Sequence, residues 1–364
     1  MKKLFFTITI LLLSISFYPV KAMEKTSDIL KKNVVTEGDG LYVDSTIDGR
    51  YIYKGGKPNN YIKLGNDLYR IISLEKDGTI KVIKQESIGN MAWDEANARY
   101  STNDEDFCTS EYGCNSWGSN TTTLDSNGNK VTQMPWEVNG TLRNLPDKEA
   151  TLNTYLNNDF YNGLSDDVKS LIVEGTWNVG PTSDGQTNLS ESIKEESAYK
   201  WKGKIALMNA TDYVKASTNG AYSNPHNYLY SNNYPWTVSP IAFSSANGVF
   251  RVSSSAGYLS GHLSSDYAYS GGGVRPALYL SAKTTLNGAG SEADPYKVSK
   301  YVEEEKEEPK DAENNNKDEV NIDNGQVVEV PSTSAQMSII IASIGIIFVS
   351  LAIIITKKMT KKSR

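Results

Sequence analysis

Cysteine and histidine are almost absent from this 364-residue chain, which has two of each. Cys108 and Cys114 stand in FCTSEYGCNSWG with no histidine nearby, so a zinc ion would lack two of its usual four ligands. His226 and His262 cannot build a His-rich metal centre. A Ser-His-acid triad would have to use one of them, and no Gly-x-Ser-x-Gly elbow is present. The glycines of GKPNN and SGGGVRP do not lead from a strand into a helix, as phosphate-cradling loops do. No unit recurs at a period of about 20 to 50 residues, which removes solenoids and propellers. No motif asks for a cofactor.

A basic surface is missing too. Three cations in residues 1–22 and five in KKMTKKSR lie at the two ends; without them the formal net charge of -6 becomes -14 for residues 23–336. No stripe of Lys and Arg with interleaved aromatics offsets this, which argues against nucleic acid as a partner. The acids suggest little chemistry of their own. Asp166 and Asp167 open a helix behind Ser165, and Asp104, Glu105 and Asp106 crowd one loop, so capping and solvation explain them more simply than glycosidase work. DSNGN at 125–129 offers oxygens to calcium, but the EF-hand spacing is not met and an Asn/Gly turn is expected.

The ends read as targeting segments. MKKLFFTITILLLSISFYPVKA has the basic start, apolar run and small-residue ending of a signal peptide cleaved after Ala22. MSIIIASIGIIFVSLAIII, residues 337–355, is 19 residues without a charge, about the length that crosses a hydrocarbon core. The basic tail 356–364 then places everything before Met337 outside the cell. An exported chain favours oxidised cysteines, so a short disulfide between Cys108 and Cys114 is expected. Residues 301–336 carry eleven acids and three bases with little to bury, which predicts a disordered stalk.

Between a short lead at 23–50 and the stalk, residues 51–300 form one domain's worth of chain. NYIKLG, DLYRIISLEKD and GTIKVIKQES read as strands, with Asp77 and Gly78 turning the last pair. TLNTYLNNDFYNGL and SDDVKSLIV read as short helices. KIALMNA reads as a strand leading into a helix capped by Thr211, and WTVSP, VFRVSS and VRPALYL as further strands. The polar stretch 99–140 has little periodicity. The expected class is α+β, antiparallel strands with inserted short helices.

Against this background residues 217–273 stand out. Among these 57 residues only Arg251 and Asp266 are charged, where the chain's 22% average gives about a dozen. Tyr, Ser, Asn and Gly replace the charges. Tyrosine offers wide amphipathic contact at low entropic cost and the small polar residues adaptable hydrogen bonds, the mixture found in paratopes.

Several motifs, in order, carry a resemblance: YKGGKPNNYIKLGNDLYRIIS, YGCNSWG, TLNTYLNNDFYNGL, WNVG, WKGKIALMNATDYVKAS, WTVSP, GGVRPALYLS and GAGSEADPYKVS. Over about 51–300 the chain resembles an uncharacterised domain of exported Firmicutes proteins, with Tyr69 where that family usually has Trp. The late Trp-Thr strand, the Ser/Tyr segment and the closing Gly-Val-Arg-Pro are also similar to the C-type-lectin-like fold of formylglycine-generating enzymes and variable receptor-binding proteins. That likeness implies ligand contact in the segment before the last strand. The calcium motifs of sugar-binding lectins and the copper-binding cysteine pair of the generating enzymes have no counterpart here. Near the C-terminus VPSTSAQ resembles an LPxTG-type sorting signal. Pro331 and Thr333 match around Ser332, while Val330 and Ser334 depart from it. If a sortase reads it, as the resemblance implies, that partner acts at the Thr333 carbonyl and removes the span; if not, the chain stays a single-pass membrane protein.

The resulting expectation is a cell-surface binding protein, not an enzyme, that meets an extracellular glycan or protein through Tyr222, Tyr228, Tyr230, Tyr258, His262, Asp266, Tyr267 and Tyr269. Two rivals remain: an envelope hydrolase acting on cell-wall or host polysaccharide through carboxylates not identified in the sequence, and a structural surface protein without a ligand.

Overall fold

A computed structural model describes residues 23–138, 141–182, 188–218, 227–241, 246–254 and 261–302. Its framework is a ten-stranded sheet. Along the main path lie Ile172–Val173, Ala277–Leu280, Ile80–Lys84, Asp67–Leu74, Tyr61–Leu64, Tyr296–Lys300 and Thr284–Asn287. All neighbours are antiparallel except Tyr296–Lys300 against Tyr61–Leu64.

Local chemistry accounts for these elements. Tyr61–Leu64 alternates between exposure and burial, as a strand covered on one face does, whereas Asp67–Leu74 is buried at its last six positions and so is covered on both faces. Its partner Ile80–Lys84 returns through the Asp77 and Gly78 turn. There the Asp77 carboxylate accepts from the Thr79 N–H at 2.9 Å, and Gly78 takes the positive φ of 87° that a side chain would resist.

Two expectations need correction. Residues 23–50 are more than a lead, because Leu30 and Leu41 are fully buried and Gly40–Val43 pairs with Tyr51–Lys54. The helix after Ala206 is Ala210–Lys215 and its cap is Asn209, not Thr211. Asn209 and Asp212 exchange bonds in a capping box, because Asn209 precedes the first helical turn and Thr211 lies inside it. The polar stretch 99–140, despite its weak periodicity, supplies Thr123–Asp125 to a sheet with Gly175–Asn178 and Tyr199–Gly203, and Gln133–Val138 to a hairpin with Thr141–Asn144. Within it Asp125 accepts from the N–H groups of Asn127 and Asn129, both at 2.8 Å, so DSNGN folds as an Asx turn.

The helical segment Thr151–Tyr155 continues into a π turn, Leu156–Phe160. Asn157 in that turn pairs its amide with the backbone of Ile205 in both directions, at 2.8 and 3.1 Å, so the wider turn serves the end of a strand. Ser165 caps Asp166–Lys169 as expected.

The core is one continuous cluster that includes Trp93, Trp117, Trp177, Trp201 and Trp236. A satellite of Phe107, Cys108, Cys114, Met134, Leu145 and Ala246 lies under the cysteine loop. In the last third Trp236–Pro240, Gly248–Val252 and Leu263–Tyr267 form a three-stranded sheet. Part of the Ser/Tyr segment is therefore a strand. Ala277–Leu280, which follows Pro276, is central in the large sheet, and the proline stands just ahead of the strand, where its missing N–H costs no ladder bond.

All described residues lie within one unit, Met1–Glu305; the second, Lys306–Arg364, is outside them. No helix among the described residues is long and apolar enough to cross a membrane. The leader 1–22, the stalk from 303, Val330 to Ser334 and the span 337–355 lie outside the described residues.

Candidate functional site

Three tyrosines from two distant segments meet at the surface. Tyr267 ends the strand Leu263–Tyr267 and Tyr269 follows two residues later; Tyr112 comes from the cysteine loop more than a hundred residues earlier. Ring centroids are 4.9 Å apart for Tyr112 and Tyr267, 5.5 Å for Tyr112 and Tyr269, and 6.1 Å for Tyr267 and Tyr269. The interplanar angles of 23°, 35° and 28° keep the rings close to parallel. Despite these contacts they stay 49%, 48% and 42% exposed. Among the described residues they are the exposed large apolar side chains that touch one another as rings.

The scaffold beneath them is rigid for identifiable reasons. A disulfide joins Cys108 to Cys114 and closes the loop that carries Tyr112. Gly113 follows with φ 76°, and a Cβ there would stand 2.5 Å from the Asp94 carbonyl oxygen and 3.0 Å from the Tyr269 nitrogen. Only glycine lets the two segments come this close, and the Tyr269 N–H then donates to the Tyr112 carbonyl at 3.1 Å.

Below the loop the fully buried Asp94 carboxylate accepts from the Cys114 N–H at 2.8 Å, the Thr151 N–H at 3.0 Å and Arg99 Nε at 3.0 Å. Arg99 in turn donates to the Cys114 carbonyl at 2.7 Å. Burial pulls the Arg99 guanidinium down from its ordinary value while Asp94 supports its charge. Asn247 Nδ2 donates to Ser110 Oγ at 2.8 Å, and Asn115 Nδ2 to the Gly248 carbonyl at 2.8 Å, which fastens the loop to the three-stranded sheet.

The other expected contact residues are placed differently. Tyr222 and Tyr258 lie outside the described residues, as does His226. Tyr228 is 4% exposed; it packs in the core with its hydroxyl on the Ile71 carbonyl, so it is a structural side chain and not a contact residue. The Tyr228 N–H and the Gly55 carbonyl bond at 3.0 Å, which draws its segment inward. Tyr230 is half-buried and packs against the same core. His262 is half-buried, directly before the strand that ends in Tyr267. Asp266 is not free to meet a ligand on equal terms with the tyrosines. It forms an ion pair with Arg251, accepts from Ser270 Oγ at 3.0 Å and so braces the turn that presents Tyr269.

Tyr112 joins these rings without being among the expected contact residues. It lies outside the charge-poor segment, and its one local signal is an aromatic side chain inside a six-residue cysteine spacing.

The sequence profile of a domain of unknown function (DUF6273) matches residues 143–282, a span that contains Tyr267 and Tyr269 but not Tyr112. No curated protein and no solved structure matches the chain.

Proposed function

We propose that the chain is a surface-displayed binding module whose contact face is built on Tyr112, Tyr267 and Tyr269. The observation that carries the reading is the convergence of three half-exposed rings on a disulfide-closed, glycine-fitted support. An aromatic cluster needed only for packing would be covered. One held rigid in the open has already lost the side-chain freedom that binding would otherwise remove. Tyrosine suits both a sugar ring and a peptide, since its flat apolar face stacks while its hydroxyl stays hydrated.

In this reading the module belongs with the uncharacterised exported domains of Firmicutes and has a lectin-like arrangement, with ligand contact before the last core strand. It leaves the cell behind the leader 1–22 and is held by the span 337–355, or joined to the wall after sortase reads Val330 to Ser334. The acidic stalk sets it away from the membrane. It binds rather than catalyses.

The test is a screen of immobilised glycans and peptides against the wild type and against Tyr112→Ala, Tyr267→Ala and Tyr269→Ala. Removing a central aromatic contact is expected to weaken binding by about tenfold or more. A ligand whose binding ignores all three substitutions would sink the proposal. Turnover of an arrayed polysaccharide would instead favour the hydrolase.

A further inference from the structure

A cavity of about 210 Å³ has a charged wall. Arg50, Lys81, Lys200 and Lys215 line it together with Glu75 and Asp212. Arg50, Lys81, Lys215 and Asp212 are each at least nine-tenths buried. Replacing buried ion pairs by apolar residues of similar volume is often neutral or stabilising, so stability alone is a weak reason for charge here. Desolvated charges around a cavity are a common mark of a ligand site.

Most of the wall is internally matched. Arg50 pairs with Glu75 and Asp212, both at 3.1 Å, Lys81 pairs with Asp212 at 2.6 Å, and Lys215 pairs with Asp44 outside the lining. Three cations thus face three acids. Lys200 is the remainder: half-buried, on the strand Tyr199–Gly203, it has no ion pair among the described residues. Glu196 lies behind Thr211, which it binds, and burial holds its carboxyl up at about 7, so it adds only part of a charge at neutral pH. At the rim Thr176 is exposed and Asn178 pairs across the sheet with Lys200, and both add uncharged polar groups.

We propose that this cavity binds a small molecule carrying a single carboxylate, which pairs with Lys200 while its neutral polar atoms meet Thr176 and Asn178. One carboxylate brings the wall close to neutrality, whereas a dianion such as phosphate would leave it clearly negative. The volume suits a single sugar acid or an acylated amino acid and not the interior of a polymer. The site is separate from the tyrosine face and does not depend on the reading given to it.

Isothermal titration of the full chain in detergent micelles tests the assignment, with D-glucuronate and N-acetylglycine as carboxylates and D-glucose and N-acetylglycinamide as neutral controls at matched ionic strength. Saturable binding of at least one acid and of neither control supports it, and the better acid identifies the source. Lys200→Gln should weaken that binding about tenfold, as expected when a charged hydrogen-bond partner is removed, and Lys200→Arg should retain it. Thr176→Tyr, which fills the mouth from an exposed position, should abolish it. Tyr267→Ala combined with Tyr269→Ala should leave it unchanged. Equal heats for acids and neutral controls, or unchanged affinity in Lys200→Gln, would overturn the proposal.

Discussion

Replacing Glu196 with glutamine should flatten the pH dependence of stability across neutrality. Glu196, on the helix Leu189–Ser197, is 1% exposed and accepts from Ser239 Oγ, Thr211 Oγ1 and the Thr211 N–H. Burial, with a smaller push from the Asp212 charge, raises its carboxyl from 4.5 to about 7 against the pull of the Ser239 and Thr211 donors. At about 1.4 kcal/mol per pKa unit, full ionisation costs the fold about 3 kcal/mol. Because the folded value lies above the unfolded one, this contribution is whole below 4.5 and is lost as pH rises through about 7.

Between about pH 5 and about pH 8 the group should therefore remove about 2 to 3 kcal/mol of stability. Burial works against Asp212 and Asp44, but Lys81 and Arg50 beside the first and Lys215 beside the second hold both below the ordinary carboxylate range, so their ionisation falls beneath this window. Urea unfolding followed by tryptophan fluorescence at the two pH values measures the drop. In Glu196→Gln it should shrink by about 2 kcal/mol. An equal drop in both proteins would refute the assignment of a buried carboxyl whose ionisation costs stability.

Asp94→Ala should be the most damaging change near the tyrosine face. It leaves the Arg99 charge buried without its partner, for about 3 to 5 kcal/mol by urea unfolding, and a loss below about 1 kcal/mol would contradict the buried pair. Reducing the disulfide between Cys108 and Cys114 should cost about 2 kcal/mol, as expected for so short a loop. It should also separate the Tyr112 ring from Tyr267, which NMR of labelled tyrosine rings reports as lost ring-current shifts; unchanged shifts would show that the loop holds without its covalent tie.

How much of this was legible in the sequence depends on how local the signal is. Asp77 and Gly78, Ser165 and the alternation of Tyr61–Leu64 act within a few residues, and their elements form as expected. Asn209 displaced Thr211 as the cap because the helix start is fixed by the exchange with Asp212, which a propensity argument does not separate from a threonine two positions later. Tyr228 and Tyr267 lie in the same charge-poor, tyrosine-rich segment, yet one is buried and the other is not. The difference comes from pairing with Gly55 and Ile71, more than 150 residues away in sequence. Tyr112 joins the face for the same kind of reason, through the Gly113 contact with Asp94 and Tyr269. Composition identified a region rich in tyrosine and small polar residues; long-range backbone pairing decided which of the tyrosines face outward.

The direct test of the proposed binding face pairs two measurements on one protein, the Tyr112→Ala, Tyr267→Ala, Tyr269→Ala triple variant. Rings that are 42% to 49% exposed contribute little to the core, so the melting temperature should stay close to that of the wild type. Binding to the ligand found by array should meanwhile fall by about a hundredfold or more. A variant that unfolds at a much lower temperature would make the three tyrosines structural, and one that keeps its stability and its affinity would show that the contact face lies elsewhere.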